Sequence, residues 1–474
     1  MNVLLVNPPS SFLLKSFNKI SSPDIPLNLA YIAAVIEADG HFVRIIDMNV
    51  IKSYAELKER LDEAEFDVLG FTATTPIFQS CLNTIQILKK KFPRSKIILG
   101  GWHASTLPVE TMGSVPEIDF IVKGEGECTI RELMKAIEMN NGFASIQGIV
   151  YRDTNLTIHE NQDRPLIQNL DTLPYPARQL LPLEEYKKMG LYTFGGYYKK
   201  DLYICSIISN RGCMGKCIFC GDSVIHKGFC RNRSPENVVA EIQHMIKKYK
   251  IRITGFLDAN FLSSAVHVRR ICELIIAKKL KIIWVCSARV DNVSEELLRL
   301  MKRAGCIRIA YGIESGSPKI LKLMRKNIRI SQIRNAIAIT KKVGIPVYVY
   351  FIYGMPGETL EDARMSRQLL METKPNFVTN SIATPYPRTK LFDLMRDEWH
   401  LTDINLDSFF NTVFNMAVET PYIKKVFKVQ RKILRDFYLS PFFLVDTIKK
   451  LTSIYHLKFY FTAFLCFIKF IVGL

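Results

Sequence analysis

Short apolar runs alternate with amphipathic stretches through the first third of the chain. The runs are Val3–Val6, Val43–Ile46, Val68–Phe71, Ile97–Leu99 and Phe120–Val122, and between them Leu27–Ala38 and Ser80–Lys91 repeat apolar residues at helical spacing. Strand–helix alternation at this spacing predicts a parallel, doubly wound α/β sheet over residues 1–150. Such sheets bind ligands beyond the carboxyl ends of their strands. The residues there are Asn7, Pro8 and Pro9, the stretch Thr72 to Thr75 with Thr74 in it, Gly100-Gly101-Trp102-His103-Ala104, and Gly124-Glu125-Gly126-Glu127.

Residues 151–200 read as a link. Gly148 to Arg152 is strand-like and leads into polar residues, as in a hairpin, and Pro174 and Pro176 then break regular structure. From 201 to 390 six strand-like segments return at βα spacing: Tyr203–Ile208, Ile253–Leu257, Ile282–Ser287, Ile307–Ile313, Val347–Ile352 and Phe377–Ala383. Helical stretches such as Pro235–Lys248, Glu295–Ala304, Gln332–Val343 and Leu360–Met371 separate them. Six units are fewer than a closed eightfold barrel needs, so an open, partial (β/α)6 TIM-type barrel is predicted, with its chemistry at the strand ends.

Residues 391–474 read as a helical region. Phe442, Phe443, Leu444, Ile448, Leu451, Ile454 and Tyr455 recur at helical spacing, and the 16 residues Phe459 to Leu474 are nearly all apolar, interrupted by Lys469. A bilayer span needs about 20 residues. A helix lying in a membrane interface and a helix packed on the preceding domain both remain open; a spanning helix is disfavoured by length and by Lys458 and Lys469.

Composition narrows the class. The chain has 474 residues, 48% hydrophobic and 23% charged, which suits a folded protein of two to four domains. Its 11 cysteines lack paired, regular spacing, which argues for a reducing, cytoplasmic setting over a secreted disulfide framework. Met1 runs straight into a strand-like segment, so no signal peptide is expected. The net charge is +19, and residues 421–474 hold ten Lys and Arg against two Asp. Without a recognisable nucleic-acid module, the excess is not read as nucleic-acid binding. Beside so many Phe, Leu and Ile it points to contact with the inner face of a membrane.

The sharpest chemical signal is Cys213, Cys217 and Cys220, spaced C-x3-C-x2-C. Three thiolates can hold three irons of a cubane and leave the fourth open to a ligand. The competing reading is structural zinc, with Cys205 or Cys230 as fourth ligand. The strand ends carry Asp258 and Asn260, then Ser287, Arg289 and Asp291, then Gly312 to Ser317, Tyr353 to Glu358, and Pro385 to Thr389. These types suit a zwitterionic, nucleotide-like ligand. Glu314 can accept bonds from an ammonium group or ribose hydroxyls, and Arg289 can clamp a carboxylate. In Arg231-x-Arg233-Ser234-Pro235-Glu236, Ser234 suits an N-cap and Pro235 the first helical turn.

The cysteine spacing, with Phe219 before its last member, resembles the radical S-adenosylmethionine (SAM) superfamily. Asn7-Pro8-Pro9, Pro26 to Tyr31, Gly100-Gly101-x-His103-Ala104 and Gly124 to Glu127 resemble the cobalamin (B12)-binding domain that precedes many radical SAM barrels. The proline-rich link resembles the one joining those domains. The resemblance covers residues 1–390. It implies a Rossmann-like cobalamin-binding domain followed by the partial barrel, and a 4Fe-4S cluster on Cys213, Cys217 and Cys220. It further implies SAM chelating the open iron, with Phe219, Asp258, Ser287, Arg289 and Glu314 as SAM-side contacts. For cobalamin the matching positions are Asn7, Pro8, Thr74, Gly100, Gly101, His103, Gly124 and Glu125.

The D-x-H-x-x-G motif that gives cobalt a histidine in other cobalamin enzymes is absent, since Asp39-Gly40-His41 has the wrong spacing. His103 is thus expected to pack beside the corrin or cap the following helix, with cobalt ligation the remaining alternative. Asp258-Ala259-Asn260 and Arg388 depart from the family pattern of two aspartates and a glycine.

The implied activity is that of a cobalamin-dependent radical SAM enzyme. The cluster reductively cleaves SAM to a 5′-deoxyadenosyl radical, which activates an unreactive substrate position, and methylcobalamin delivers a methyl group. Cyclisation or rearrangement, methylthiolation of transfer RNA, and a non-catalytic cobalamin or redox sensor are the alternatives. The transfer RNA enzymes carry three further cysteines in the first domain, where this chain has Cys81 and Cys128 alone. The implied partners are a flavodoxin or ferredoxin reductant and a small-molecule, lipid-like substrate, with no nucleic acid.

Overall fold

The computed structural model describes residues 1–10, 25–51, 53–61, 64–189, 191–193, 197–199, 205–399 and 421–449, with isolated positions from 451 to 468. Two compact units divide the chain near Tyr186.

The first unit is built on strands β1 (Asn2–Asn7), β2 (Phe42–Asp47), β3 (Val68–Thr72), β4 (Lys96–Gly100), β5 (Phe120–Val122), β6 (Ile149–Arg152) and β7 (Ile158–Glu160). They lie in the order β2-β1-β3-β4-β5-β6-β7. The first five pair in parallel and the last two antiparallel. Alternate strand residues feed two layers. Leu4, Val6, Leu69, Phe71, Ile97 and Leu99 meet Leu57, Phe78, Ile85 and Leu88 of the helices on one side. Helices Leu27–Ala38 and Gly126–Met139 pack together. The doubly wound sheet expected from the alternation is present.

Residue 150 falls inside β6, and the stretch after it, read as hairpin and link, contributes β7 to the same sheet. An open β5 edge exposes unpaired backbone groups, and this antiparallel hairpin satisfies them. The chain beyond stays with the first unit. Ile167 N–H donates to Glu125 Oε2 (2.8 Å), Ala177 N–H donates to Ala30 O (2.9 Å), and the Tyr186 hydroxyl donates to Asp47.

The second unit opens with a small hairpin, β8 (Leu191–Thr193) and β9 (Tyr197–Lys199). Strand β10 (Cys205–Ile207) starts the main sheet, and a short antiparallel pair follows, β11 (Asn210–Arg211) with β12 (Arg231–Asn232). Then come β13 (Ile253–Phe256), β14 (Ile283–Ala288), β15 (Cys306–Glu314), β16 (Val347–Tyr353) and β17 (Phe377–Ile382). The six run β10-β13-β14-β15-β16-β17, every neighbour parallel. Helices return the chain between strands, and their starts are written in the sequence. The side chains of Ser234, Ser264, Ser294 and Thr359 accept bonds from the backbone N–H three residues on, closing the first turn of each helix. The partial barrel expected from six βα units is the observed architecture.

Beyond the barrel, helix Pro421–Tyr438 buries Ile433, Leu434 and Phe437, and the Tyr438 hydroxyl donates to Val378 O (2.6 Å). Helix Pro441–Lys449 seats Phe443 against Phe377 and Phe437. This part of the tail packs on the second unit's sheet. Among the described residues no helix is long and apolar enough to cross a membrane. Much of the apolar run Phe459–Leu474 lies outside the described residues.

Candidate active site

The loop bearing the three cysteines is tied at its base and at its far end. Strands β11 and β12 close the base, and Gly212 must be glycine, because it has φ +86° and a Cβ there would overlap the Phe229 carbonyl oxygen. At the far end Ile218 N–H donates to Met324 O (3.1 Å) and Leu391 N–H donates to Ile218 O (3.0 Å). Ile218 is buried with Ile320, Met324, Met355 and Leu391, and Phe219 packs against the same group. Phe219 therefore anchors the loop by its ring.

Between these ties the thiols converge. A Cβ placed on Gly215 would lie 3.3 Å from Cys213 Sγ, 3.7 Å from Cys217 Sγ and 3.5 Å from Arg289 Nη1. The bare glycine thus faces two sulfurs and a guanidinium, and its N–H donates to Cys213 Sγ (3.3 Å). Burial raises the Cys217 thiol pKa, while the nearby Lys326 and Arg289 charges oppose it. Burial likewise pushes Cys220 up to about 12. A thiol such as Cys217, buried beside Lys326 and Arg289, fits a metal cluster, which takes it as a thiolate and returns the charge balance. Among the described residues no three His, Cys, Asp or Glu gather as closely as the ligands of one ion. Thiols serving three corners of a cube stand farther apart than that. Cys205 points elsewhere: it is buried, with its Sγ 3.8 Å from Met245 Sδ on the helix behind the sheet.

Opposite the loop, β14 and β15 supply the polar wall. Arg289 just beyond β14 grips Asp291 through Nε and Nη2 and donates to Lys326 O (2.7 Å). Ser287 stands half-buried near the end of the same strand. Glu314 ends β15 in a left-handed conformation (φ +61°) where the register with β16 shifts. Its carboxylate pairs with Lys326 Nζ at 2.8 Å, and both residues are buried. Burial alone would lower the Lys326 pKa, but the Glu314 charge outweighs it and holds the amine above its ordinary value. A Cβ on Gly312 would come within 2.5 Å of Glu314 Oε1 and 2.9 Å of Lys326 Nζ. Strained backbone at a bulge beside a buried ion pair is where sites, not cores, store energy.

No pattern in the sequence singles out Lys326, which sits among Lys319, Lys322 and Arg325 without a period of its own. Asp258, expected on the SAM side, is engaged by the segment that follows β10. Its Oδ1 accepts from Ser209 N–H (2.7 Å) and Asn210 N–H (2.9 Å), and its Oδ2 accepts from the Ser209 hydroxyl (2.5 Å). Burial raises its pKa to about 6 against those bonds. Asp258 positions the segment entering the cysteine loop. Asn260 supports the neighbouring wall by accepting Arg289 N–H at 3.1 Å. Arg233 pairs with buried Glu241 and donates to Ile208 O (2.8 Å), and Arg231 reaches His226 Nδ1 (3.2 Å).

In the first unit the candidate residues gather at the carboxyl ends of β1, β3, β4 and β5. Asn7 donates to Asp47 Oδ1 (2.9 Å), Pro8 is buried, and Thr74 is exposed. Gly100 ends β4 and leaves a side-chain-free floor. Gly101 (φ +89°) has no room for a side chain, since a Cβ would meet Thr72 Oγ1 at 2.6 Å and Ala73 O at 2.8 Å. Gly124 (φ +67°) opens onto space, with nothing within 4 Å of where a Cβ would stand, and its N–H donates to Ser105 Oγ (2.9 Å). Glu125 is taken by the Ile167 N–H. His103 is buried, stacked on Phe78 with ring centroids 3.8 Å apart, its Nδ1 3.3 Å from Thr75 Oγ1. Burial lowers its pKa to about 4, so the ring is neutral. A bare floor at one sheet edge fits a large, flat ligand, and His103 packs beneath that edge. Gly101→Ala is expected to cost about 1–3 kcal/mol from the backbone strain alone, read as a lower melting temperature of the first unit together with weaker cobalamin uptake.

Residues 207–370 match the radical SAM superfamily and residues 18–134 match the B12 binding domain. An uncharacterized methyltransferase of Pyrococcus horikoshii, PH0819, is 31% identical over 449 residues, which span 94% of this chain and 95% of its own. The anaerobic magnesium-protoporphyrin IX monomethyl ester cyclase of Rubrivivax gelatinosus is 27% identical over 82% of this chain and 69% of its own. The fold is that of TsrM, a radical SAM methyltransferase from Kitasatospora setae solved with cobalamin and a 4Fe-4S cluster. It superposes with a TM-score of 0.69 at 19% identity, covering 84% of this chain and 78% of TsrM. With both domains matched in order and a relative aligned along nearly its whole length, the chain belongs to the cobalamin-binding radical SAM enzymes, whose cofactors are a 4Fe-4S cluster, SAM and cobalamin.

Proposed function

We propose that this enzyme transfers a methyl group to an unreactive carbon of a small, lipid-like molecule at the inner face of the membrane, with electrons from a flavodoxin or ferredoxin. The observation that carries the radical part is the cradle at Gly215, where Cys213, Cys217 and Arg289 face one another. The long likeness to PH0819 supports methyl transfer. When bound, the cluster supplies the electron that splits SAM, and cobalamin carries the methyl group.

In this reading Cys213, Cys217 and Cys220 hold the cluster. Arg289, already fixed by Asp291 and Lys326 O, presents its remaining guanidinium edge to the SAM carboxylate. Glu314 faces the ammonium group, and Lys326 holds that carboxylate in place. Ser287 lies near the end of β14, two residues before Arg289. Asn7, Thr74, Gly100, Gly101 and Gly124 form the cobalamin floor, while Pro8, His103 and Glu125 support it from behind. Asp258 and Phe219 hold the cysteine loop in place.

The cyclase likeness favours a second reading, ring closure without methylation. One assay separates them. Holoenzyme, reductant, SAM and a cell lipid extract are incubated without oxygen. A methyltransferase of this kind consumes a second SAM, so S-adenosylhomocysteine accumulates alongside 5′-deoxyadenosine. Ring closure yields 5′-deoxyadenosine without S-adenosylhomocysteine. Absence of 5′-deoxyadenosine under reduction would remove the radical part altogether.

A further inference from the structure

Helix Pro421–Tyr438 has two unlike faces. Val426, Ile433, Leu434 and Phe437 are buried against the barrel. Lys424, Lys428, Lys432 and Arg435 are exposed along the other side, at steps of four, four and three residues, as a basic stripe. The next helix, Pro441–Lys449, inserts Phe443 inward and turns Leu444, Val445 and Ile448 outward, Ile448 being 65% exposed. These three share one helical face. Farther on, Leu457, Phe461, Phe464 and Ile468 are exposed at steps of four, three and four, Phe461 by 61%. Tyr460 among them is partly buried, and burial with the charge of Asp446 pushes its hydroxyl up to about 12. Among the described residues here, Tyr460 is thus partly packed while the large apolar residues face out. Exposed apolar residues are ordinarily scattered singly. Here they succeed one another directly after a basic stripe.

We propose that this surface docks on an anionic lipid bilayer, the lysines on headgroups and the apolar face at the acyl boundary. Charge selects that occupant. Residues 421–474 hold ten Lys and Arg against two Asp, so a second copy meeting the same face across a two-fold axis would bring positive charge against positive charge. Among the described residues no helix is long and apolar enough to span, and a basic stripe followed by an outward apolar face suits docking in the interface plane. The proposal deepens the lipid-like substrate reading and rests on it only for what the docking serves.

The test is co-sedimentation of the full-length holoenzyme with vesicles of phosphatidylcholine alone or with one quarter phosphatidylglycerol. The enzyme should pellet with the anionic vesicles and bind the neutral ones about tenfold less. Leu444→Glu with Ile448→Glu should weaken binding to both vesicles by about tenfold. Lys424→Glu, Lys428→Glu and Lys432→Glu together should weaken binding to the anionic vesicles alone and remove its salt dependence. Both variants should form 5′-deoxyadenosine at the wild-type rate, which shows that they are folded. The proposal is overturned if the wild type pellets with neither vesicle. It is equally overturned if the apolar variant binds as wild type, or if light scattering shows a dimer that this variant dissociates. Vesicle binding without methylation of any extracted lipid would keep the docking surface and sink the lipid-like substrate.

Discussion

Cys217→Ala is expected to lose nearly all cluster iron and sulfide and to form no 5′-deoxyadenosine, while the chain stays folded. The Cys217 sulfur is one of two facing the bare Gly215 position, with Arg289 alongside and the Lys326 charge within reach. Losing one of three thiolates leaves a cubane with two open corners, which neither holds its iron nor presents SAM to a single one. The packing cost is small by comparison, about 1 kcal/mol for removing one sulfur from a well-supported loop. Cys205→Ala is the control. Its thiol lies against Met245 behind the sheet and should leave iron content unchanged. Anaerobic iron and sulfide analysis with chromatographic product detection decides the matter. A Cys217→Ala protein with full iron and wild-type turnover would refute the three-thiol site, and a Cys205→Ala protein stripped of iron would revive the zinc-type arrangement.

Lys326→Met should lower stability and SAM affinity together. Lys326 and Glu314 are each 7% exposed and pair at 2.8 Å, so removing the amine strands a buried carboxylate. Breaking a buried pair on one side costs about 3–5 kcal/mol. For a unit of this size that is a fall of roughly 10 °C in melting temperature. The double variant Glu314→Gln with Lys326→Met removes the stranded charge and should recover most of that loss. It should not recover SAM binding, which is expected to stay at least about tenfold weaker in both variants, since a charge-assisted bond to the ammonium group is absent or misaligned. Thermal denaturation and equilibrium dialysis with SAM read the two effects separately. A double variant that binds SAM as wild type would remove Glu314 from the site.

The residues that chemistry demands one by one are the easiest to read. Metal clusters need thiolates at close spacing along the chain, so Cys213, Cys217 and Cys220 announce themselves. Helix starts need a short polar side chain followed by an amphipathic run, so Ser234 is visible in advance as the cap the structure shows. Other roles depend on which distant segment arrives next door. Asp258 ends a strand as a ligand residue would, yet the loop after β10 comes close enough to take both its oxygens. Lys326 lies in a basic stretch like any solvated one until the fold lays it against Glu314. Pro174 and Pro176 mark a strap, but only the fold shows what it lies on, Ala177 N–H donating to Ala30 O in the first unit.

Local periodicity was enough, by itself, to determine two parallel α/β units, and cysteine spacing to mark a three-thiol loop as the candidate cluster site, because helix, strand and closely spaced ligands are set by near neighbours in the chain. Tertiary structure alone decided that Lys326 charges the wall, that Asp258 holds the loop, that His103 packs as a neutral ring beneath the glycine floor, and that the first unit extends to Tyr186. Those outcomes turn on burial and on contacts between segments far apart in sequence, and no local pattern encodes which partner a buried charge will meet.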